Sequence, residues 1–470
     1  MDIVWSSAFV HQLETLSSSQ IYVKRSLAAT RALAASLVKS AFAIRHRRAL
    51  IELRSLKADS FWQEQGRRFR DVYERARQDV PYYRDRPDSY PESLGPSSDV
   101  RDMLARLPIL SKQELRQHNA AFFSTRADRS ARVHTTSGTS GTPLRLLRSP
   151  LEAGFEQAVR EDWMVRTLGL RYPRTLSLSG FFAPQRNSEG VLAMSDIAQR
   201  SLFLSIYRLA EMDDAPSMEL ISGFQPQLAE GYASAMYELA RRLPEPLRAP
   251  RPAGLTTSEV LSDEWRVAIE SRLCSRVYDN YGSQEGAHRV MECDRGAMHI
   301  HPAVGVVELI MSEGQSARAG ESGRVVVTGL VRDSMPLFRY ALGDTATSTG
   351  FNTACSCGLE WPTIGRVEGR SEDYAIARDG TRVRYLGFHA TKGLSRVIEA
   401  QVEQVDLDVF KVRIVAEDGH LTAEEESTVR AELERRMRAP LHVQVDYVDA
   451  VPRTARGKVS AFIRSYHPPS

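Results

Sequence analysis

The sequence is poor in cysteine and has almost no excess charge of either sign. Four cysteines among 470 residues are too few and too unevenly placed for a disulfide framework. The 62 Lys and Arg residues nearly balance the 59 Asp and Glu residues, which leaves a formal net charge of +3. Nucleic-acid-binding domains carry a marked basic excess, so this balance does not favour that class. An apolar content of 42% is typical of a globular protein with a sizeable core.

Long apolar runs are also missing. The longest stretch of low charge, Ser26–Ala43, is interrupted by Arg31 and Lys39. It therefore lacks the run of about 18 or more apolar residues that a membrane span requires. The first residues, Met1–Trp5, have neither a basic segment nor a following apolar one, so we expect no secretory signal. We expect a cytoplasmic protein without a membrane span.

The length of the chain predicts more than one folding unit. Domains of about 150 residues each would give roughly three units in a chain of 470 residues. Residues 1–79 have apolar positions at helical spacing and predict a helical N-terminal extension packed on the large domain. Its basic segment Arg45–Arg54 is interpreted as a solvated helix face, with contact to anionic lipid as the alternative. From 80 to 370, β-rich runs alternate with helical runs, which predicts a large α/β domain. Residues 371–470 predict a small α+β domain.

Individual elements follow from the same periodicity. The predicted strands are Thr175–Leu178, Ala253–Thr256, Ser275–Tyr278, Val306–Met311, Arg324–Thr328, Leu337–Tyr340 and Leu441–Val448, with a further β region at Ala400–Val415. The predicted helices are Leu151–Leu168, Ala229–Leu243, Ser262–Cys274 and Thr422–Met437. One more short helix is predicted to begin after Ser111 as its N-cap, with Glu114 completing a capping box.

A run rich in Ser, Thr and Gly stands at Thr135–Pro143. Its centre, Ser137–Gly141, combines three hydroxyl side chains with two glycines. Glycine allows a tight turn and a close backbone approach, and hydroxyl and N–H groups donate to phosphate oxygens. The run matches neither a Walker A loop nor a nucleophile elbow. From these residues alone, a phosphate-binding loop and a flexible linker both stay open.

Three further motifs have a functional and an ordinary interpretation each. In Asp279–Gly286, a strand end with a turn glycine and Glu285 suits a Mg²⁺ that bridges nucleotide phosphates, and a simple turn is the alternative. In Arg339–Asp344, an Asp at a strand end can accept from both hydroxyls of a ribose, and an Asx turn is the alternative. Near the C-terminus, Lys458 can bring a point charge to a phosphate, and an exposed basic loop is the alternative.

Together and in this order, the four motifs resemble those of the adenylate-forming superfamily of acyl-CoA synthetases and adenylation domains. Within it, the chain is most similar to the phenylacetate–CoA ligase branch and its CapK-like relatives. The segments that carry this closer resemblance are Val80–Arg84, Leu107–Lys112, His134 at the start of the phosphate loop, and Gly365–Asp373. The resemblance implies the adenylate-forming enzyme fold, with a large α/β N-terminal region and a small mobile C-terminal domain.

The resemblance also implies a reaction. A carboxylic acid, aryl or arylacetic by family analogy, attacks the α-phosphate of Mg·ATP to give acyl-AMP and pyrophosphate, and the acyl group then passes to CoA. An amine or a carrier-protein thiol is the alternative acceptor, and a non-catalytic nucleotide-binding scaffold is the alternative of a different class. Nucleic acid is not an expected partner, and a homodimer is left open. Candidate walls of the acid pocket are Gly180–Ala183 and Gly231–Ala235, with ordinary core packing as the alternative.

Roles for individual residues follow from the resemblance as well. Lys458 is expected to bind the α-phosphate and the attacking carboxylate oxygen, Glu285 to position Mg²⁺, and Glu372 to act as the domain hinge. The expected nucleotide contacts are Ser137, Gly138, Thr139, Ser140 and Gly141 for the β- and γ-phosphates, Ser258, Glu259, Tyr281 and Gly282 for the adenine side, and Asp344 and Arg370 for the ribose. Displacement at phosphorus depends mainly on positioning and charge neutralisation, which these residue types supply.

Two segments depart from the family pattern. Thr142 and Leu144 replace common lysines, so the phosphates lose nearby positive charge, and Arg145 is a candidate substitute. The hairpin after the hinge, Arg378–Tyr385, also diverges. In thioester-forming members that hairpin helps to form the pantetheine tunnel. The residues expected to act in adenylation therefore match the family pattern better than the residues expected to bind CoA.

Four Cys and His residues form two pairs, Cys293 with His299 and Cys355 with Cys357. Thiolate and imidazole are the usual ligands of tetrahedral structural zinc. We therefore predict a structural zinc site that joins two distant segments, with His301 as a rival to His299. A set of buried thiols with a surface histidine is the alternative. A zinc-ribbon nucleic-acid binder is disfavoured because the Cys pairs of a ribbon are closer together.

Overall fold

The chain folds into two compact units, Met1–Val367 and Glu368–Ser470. The boundary between them lies close to residue 371, where the sequence predicts the start of the C-terminal domain. The structure is a computed structural model. It describes residues 21–23, 46, 48–135, 144–178, 193–196, 200–206, 209, 214–370, 374–380, 382–384, 386, 390, 391, 394, 396–453 and 460–466.

The helices that the structure describes begin with a long one near the N-terminus. They span Ala58–Asp79 (α1), Pro81–Arg84 (α2), Val100–Leu104 (α3), Lys112–Gln117 (α4), Pro150–Trp163 (α5), Asp214–Phe224 (α6), Ala233–Arg242 (α7), Asp263–Arg272 (α8) and Ala423–Met437 (α9), with a 3₁₀ turn at Asn119–Phe122 and a π-helical turn at Met164–Leu168. Within these ranges, no helix combines the length and the apolar character needed to cross a membrane.

The strands are mostly short. They span Ile21–Val23 (β1), Arg132–Thr135 (β2), Arg145–Arg148 (β3), Thr175–Leu178 (β4), Ala193–Asp196 (β5), Ser201–Leu204 (β6), Leu228–Gly231 (β7), Ala253–Thr257 (β8), Arg276–Gly282 (β9), Arg289–Glu292 (β10), Met298–Ile300 (β11), Gly305–Ile310 (β12), Ser322–Gly329 (β13), Tyr340–Thr347 (β14), Thr363–Ile364 (β15), Val367–Arg370 (β16), Tyr374–Ile376 (β17), Arg382–Arg384 (β18), Val397–Asp406 (β19), Val409–Ala416 (β20), His442–Tyr447 (β21) and Phe462–Arg464 (β22).

A mixed sheet organises the first unit. Over the described residues its strand order is β1-β5-β6-β4-β7-β8-β9-β10-β11-β15. Strands β6, β4, β7, β8 and β9 pair in parallel, and helices α7 and α8 connect β7 to β8 and β8 to β9. From β9 to β15 the pairing is antiparallel. Because the carboxyl ends of parallel strands meet at one edge, the segments that follow β7, β8 and β9 lie side by side, which is where α/β sheets bind ligands.

A second sheet within the first unit contains the strands β12-β13-β14 in that order. In the second unit, the described strands β21-β20-β19-β22 form another sheet, and helix α9 packs on it. Phe410, Val412 and Ile414 are buried in this small core together with Val429 and Leu433 of α9. The predicted helix Thr422–Met437 and the predicted β regions Ala400–Val415 and Leu441–Val448 on either side of it are therefore present in the C-terminal unit.

Helix α1 belongs to the core of the first unit. Phe61, Phe69 and Tyr73 are fully buried and follow the helical spacing of four residues. The ring of Phe338 lies 5.4 Å from that of Phe69 and 5.5 Å from that of Tyr73. Earlier in the predicted helical extension, Ile21–Val23 is instead a strand that pairs in parallel with β5. The helical prediction is wrong there, because sheet pairing overrides the helical spacing, and Ile21 and Val23 are β-branched residues that favour strands.

Two other local predictions are wrong. The start of the predicted helix Ala229–Leu243 is strand β7, which pairs with β4 on one side and β8 on the other. Of the predicted strand Leu337–Tyr340, only Tyr340 belongs to a strand, because Arg339 has a φ of 45° that interrupts an extended backbone. Neighbouring strands and a single unusual dihedral are tertiary features that periodicity does not reveal.

The predicted cap of helix α4 is present, but its capping box is not. The hydroxyl of Ser111 accepts a hydrogen bond from the N–H of Glu114 at 3.1 Å. The carboxylate of Glu114 does not return the interaction and instead accepts from the Tyr82 hydroxyl. The reciprocal hydrogen bond of a capping box is therefore missing, because the Glu114 carboxylate binds the buried Tyr82 of α2 instead of the backbone N–H of Ser111.

Candidate active site and metal centre

Tyr281 and Gly282, the predicted adenine-side residues, lie at the end of strand β9, at the edge of the large sheet where the parallel strands end. The hydroxyl of Tyr281 donates a hydrogen bond to Asp344 Oδ2 at 2.8 Å, and Asp344 lies on β14 of the second sheet. Gly282 lies opposite Arg289 in the ladder with β10, where a Cβ would come within 2.9 Å of that guanidinium. The structure thus brings together Tyr281 and Asp344, which are predicted to contact the adenine and the ribose of one nucleotide.

The predicted pair Ser258 and Glu259 follows β8 directly. Thr257 pairs with Asn280 in the parallel ladder, so Ser258 lies beside the end of β9. Its φ of 70° is in the left-handed region, which is unusual for serine and is found more often at functional sites. Glu259 Oε2 accepts from the N–H of Ser234 at 2.9 Å, at the N-terminus of α7, where a carboxylate is favoured. Glu259 therefore has a structural contact that the resemblance does not mention.

Glu285 lies half-buried in the turn between β9 and β10. The buried Arg332 donates from Nη2 to the carbonyl of Gln284 at 2.9 Å. Gly286 has a φ of 63°, and a Cβ there would lie 2.3 Å from the Arg332 guanidinium. Glycine is required because the guanidinium packs directly against the turn. A buried cation therefore fixes the backbone that presents Glu285.

Several predicted site residues lie outside the described residues. These are Ser137–Gly141, Gly180–Ala183, Glu372 and Lys458, together with the side chain of Arg370, whose backbone ends β16. Strands β2 and β3, on either side of the predicted phosphate loop, pair in antiparallel fashion. The roles given to these residues remain predictions.

The four Cys and His residues of the predicted metal site meet in the structure. Their ligand atoms all lie within 4.8 Å of one another. The Sγ atoms of Cys293 and Cys355 are 3.8 Å apart, and Cys357 Sγ is 3.3 Å from His299 Nε2. Tetrahedral zinc with Zn–S bonds of about 2.3 Å separates its sulfur ligands by about 3.8 Å. The donor set and its spacing therefore fit a tetrahedral ion.

The orientation of His299 adds to this fit. Its Nδ1 lies 2.9 Å from the carbonyl of Trp361, to which a protonated Nδ1 donates. Such a bond leaves Nε2 unprotonated and directed at Cys357, as in metal-ligating histidines. The rival His301 is not in the group, and its Nδ1 accepts from the N–H of Ala303. Between the two histidines that the sequence leaves open, the structure places His299 with the cysteines.

Some polar residues near this edge have no role in the sequence-based prediction. Burial raises the pKa of Asp279 to about 6, although hydrogen bonds from Thr256 and Asn280 oppose the shift. The guanidiniums of Arg148 and Arg332 both contact Glu156. Arginine is common on protein surfaces, so no sequence signal separates these buried examples from solvated ones.

The chain is similar to known proteins in sequence. A family model described as the CapK C-terminal domain matches residues 376–465. The phenylacetate–coenzyme A ligase of Pseudomonas putida is 27% identical over 360 residues, which cover 70% of this chain and 75% of that protein. Protein CapK of Staphylococcus aureus is 21% identical, with 75% of this chain and 78% of that protein covered.

Solved structures show the same fold. The crystal structure of 2-hydroxyisobutyryl-CoA ligase in the postadenylation state, in complex with R3-HIB-AMP, matches with a TM-score of 0.66 at 18% identity. The match covers 90% of this chain and 92% of that one. A large α/β N-terminal region followed by a small C-terminal domain is therefore the architecture of this chain. Its resemblance to the phenylacetate–CoA ligase and CapK-like branch of the adenylate-forming superfamily is confirmed, in sequence and in fold.

Proposed function

We propose that the protein is an AMP-forming carboxylate ligase. It activates a carboxylic acid of the aryl or arylacetic class with ATP, releases pyrophosphate, and passes the acyl group from acyl-AMP to CoA. The observation that carries this proposal is the hydrogen bond from Tyr281 to Asp344. It joins the residues expected at the adenine and at the ribose, beside the turn that presents Glu285. The relatives named phenylacetate–coenzyme A ligases support the same reaction type.

The first half-reaction needs charge neutralisation more than covalent chemistry. The oxygen of the acid attacks the α-phosphorus, and pyrophosphate leaves from the opposite side. Glu285 offers a carboxylate oxygen for Mg²⁺, which reduces the negative charge of the phosphates when bound. Asp344 accepts from the ribose hydroxyls, and Tyr281 holds that carboxylate in place. Lys458 supplies a cation to the α-phosphate and the incoming carboxylate.

The same proposal gives the Cys/His cluster a structural zinc ion. Four protein donors complete a tetrahedron and leave no coordination position for water, as in structural rather than catalytic zinc sites. Cys293 and His299 flank the β10–β11 turn, whereas Cys355 and Cys357 precede β15. Zinc would therefore hold two segments together near the outer edge of the large sheet. With four free cysteines in the chain, we place the protein in the reducing cytoplasm.

The acceptor is proposed to be CoA. Strands β17 and β18 form an antiparallel hairpin at the position where thioester-forming relatives line the pantetheine tunnel. The sequence of this hairpin diverges, so an amine or a carrier-protein thiol is the acceptor to test against CoA.

An acid-dependent exchange of labelled pyrophosphate into ATP tests the first step, because exchange needs adenylation but no acceptor. We expect exchange with at least one acid of a broad aryl, arylacetic and aliphatic panel. Addition of CoA to that acid should then give a thioester, whereas a hydroxamate or a loaded carrier protein would identify another acceptor. ATP binding without exchange across the whole panel would contradict the proposal and favour a nucleotide-binding scaffold.

A further inference from the structure

A group of arginines lies next to the turn that presents Glu285. We call it the arginine cluster, and it consists of the guanidiniums of Arg148, Arg160, Arg289 and Arg332 with the nearby carboxylates of Glu152, Glu156 and Glu230. Glu156 is shared by three guanidiniums, at 2.8 Å from Arg148, 3.1 Å from Arg332 and 3.8 Å from Arg289. Arg160 pairs with Glu230.

The arginine cluster carries more positive than negative charge. Among the described residues, three of its four guanidiniums share the single carboxylate of Glu156, and the fourth, that of Arg160, pairs with Glu230. The carboxylate of Glu152 is already occupied, since it accepts from the backbone N–H groups of Ser149 and Ser334 at 2.7 and 2.8 Å. An uncompensated charge near the protein interior is costly unless a ligand or solvent neutralises it.

Hydrogen-bond donors are also left over. The Nε atoms of Arg148 and Arg332 are buried and have no hydrogen-bond partner in the described part of the chain. Arg332 is 97% buried, because only 3% of its surface is exposed. Burial lowers the pKa of Arg289, and the guanidiniums of Arg160, Arg148 and Arg332 lower it further, although Glu156 opposes them. Buried donors of this kind are rare in folded proteins and call for a partner.

The arginine cluster is reachable from solvent. Arg148, Arg160 and Arg289 expose 30%, 25% and 20% of their side chains, whereas the shared Glu156 exposes 13%. Part of each of these three arginine side chains is therefore exposed, whereas the carboxylate of Glu156 lies deeper. This arrangement suits the capture of an anion, since guanidinium binds carboxylate and phosphate through parallel N–H groups.

Two positions in the fold relate this cluster to the predicted phosphate loop and to the candidate acid pocket. Arg148 ends β3 opposite Arg132, three residues from the strand end that adjoins the predicted phosphate loop, a distance of about 10 Å. On its other side, Glu230 immediately precedes Gly231–Ala235, the predicted wall of the acid pocket. One side of the cluster, at Arg160 and Glu230, thus lies next to the candidate wall of the acid pocket.

We propose that the arginine cluster binds a second anionic group of the acid substrate. The substrate is then a dicarboxylate, or an acid with another anionic substituent, whose reacting carboxylate is left free to attack ATP. This inference rests on the proposed function and narrows its substrate class, since an aryl or arylacetic frame can carry the second group. The three guanidiniums that share Glu156 supply the positive charge for this additional anionic group.

Matched pairs of acids test the inference. In the exchange assay, phenylacetate is compared with 2-carboxyphenylacetate, benzoate with phthalate, and butyrate with glutarate. We expect the dianionic member of at least one pair to have a kcat/KM at least about 10-fold above its monoanionic partner, the scale of a charged hydrogen bond. A preference for the monoanion in every pair would overturn the inference and leave the proposed function intact.

Variants of Arg148 locate the effect. Arg148→Met should lower kcat/KM for the dianion by about 10- to 100-fold and hardly change that of the monoanion, and Arg148→Lys should restore part of the loss. Glu156 keeps its contacts with Arg289 and Arg332 in this variant, so we expect the fold to be preserved, which a melting curve checks. Arg132→Met, at the exposed cross-strand position, is the matched control. An equal loss for both acids, or a rise only in the KM for ATP, would assign the cluster to the phosphates instead.

Calorimetry without ATP separates this inference from the proposed function. The dianion should bind to wild type and to Arg132→Met but not to Arg148→Met. Binding that depends on Arg148, with no exchange for any acid, would reject the ligase reaction and keep the anion site. Exchange with an acid whose binding does not depend on Arg148 would keep the ligase reaction and reject the anion site.

Discussion

The Cys/His cluster and the Tyr281–Asp344 pair both join segments that are far apart in the sequence, but they do so with different chemistry. Cys293 and Cys355 are 62 positions apart, and Tyr281 and Asp344 are 63 positions apart. The cysteines and histidine direct their ligand atoms at one another. Tyr281 and Asp344 share one neutral-to-charged hydrogen bond beside a turn that presents Glu285 to solvent.

The difference is the one expected between the proposed structural zinc site and the proposed nucleotide site. A closed set of four donors needs only the protein and an ion, so its geometry is complete within one unit. A nucleotide site collects single residues from several loops, since each contacts a different part of the ligand. Substitutions at the first site should therefore change stability and metal content, and those at the second should change kinetics.

The largest expected effect tests the catalytic side of this comparison. Lys458→Ala should reduce acid-dependent pyrophosphate exchange by about 10²- to 10³-fold, because the cation acts where charge develops in the transition state. ATP binding, measured by calorimetry, should persist because the adenine and ribose contacts remain. Lys411→Ala, which removes an ion pair with Asp446 in the same unit, is the control. Equal exchange by wild type and Lys458→Ala would remove Lys458 from the mechanism.

The structural side is tested by metal content. Elemental analysis of the purified protein should give about one zinc ion per chain, and Cys355→Ser should reduce this to nearly none and lower the melting temperature. The control is Cys274→Ala, which loses buried core packing but no ligand, so its zinc content should be unchanged. A native protein that is stable and free of metal would contradict a structural zinc ion. If Cys355→Ser raised the KM for ATP and left the stability unchanged, the Cys/His cluster would belong to the nucleotide site instead.

A titrating carboxylate next to the nucleotide motif sharpens the comparison. Burial raises the pKa of Asp279 from 3.8 to about 6, so the folded protein binds this proton more tightly than the unfolded chain does. The resulting stabilisation is fully present below pH 4 and is lost as the pH rises through 6. Asp279→Asn should therefore gain about 3 kcal/mol of unfolding free energy over wild type between pH 4 and pH 7.

Urea unfolding at both pH values checks this prediction, with exchange activity measured in parallel. A difference between Asp279→Asn and wild type that does not vary with pH would show that the carboxylate is not desolvated. If the difference in unfolding free energy depends on pH, Asp279 on strand β9 affects stability. Stability effects would then not be confined to the Cys/His cluster.

The smallest expected effect concerns the hydrogen bond itself. Tyr281→Phe removes the donor to Asp344 and should raise the KM for ATP by about 3- to 10-fold, the scale of a single hydrogen bond. Unfolding free energy should change little. Tyr278→Phe on the same strand is the matched control, since the Tyr278 ring packs against Trp163 instead. An unchanged KM together with lower stability would make this bond a structural contact.

Residue type decided which of these features the sequence could predict. Cysteine and histidine are uncommon, and their pairing points to one chemistry, so Cys293, His299, Cys355 and Cys357 could be grouped without coordinates. Helix α9 and its flanking strands follow from strong periodicity. The arginines around Glu156 could not be predicted, because a buried and a solvated arginine look alike in a sequence. The start of β7 was misassigned because its neighbours β4 and β8 come from distant parts of the chain.

By itself, the sequence determined which chemical groups each segment carries: hydroxyls and glycines at Ser137–Gly141, thiols and imidazole in the Cys/His set, and carboxylates at Glu285 and Asp344. It also indicated most of the alternation of strands and helices, because that alternation depends largely on local periodicity. Only the tertiary structure decided which groups meet, that His299 rather than His301 joins the cysteines, and that three arginines share Glu156. Long-range pairing and burial set these outcomes, and both depend on residues far away in the chain.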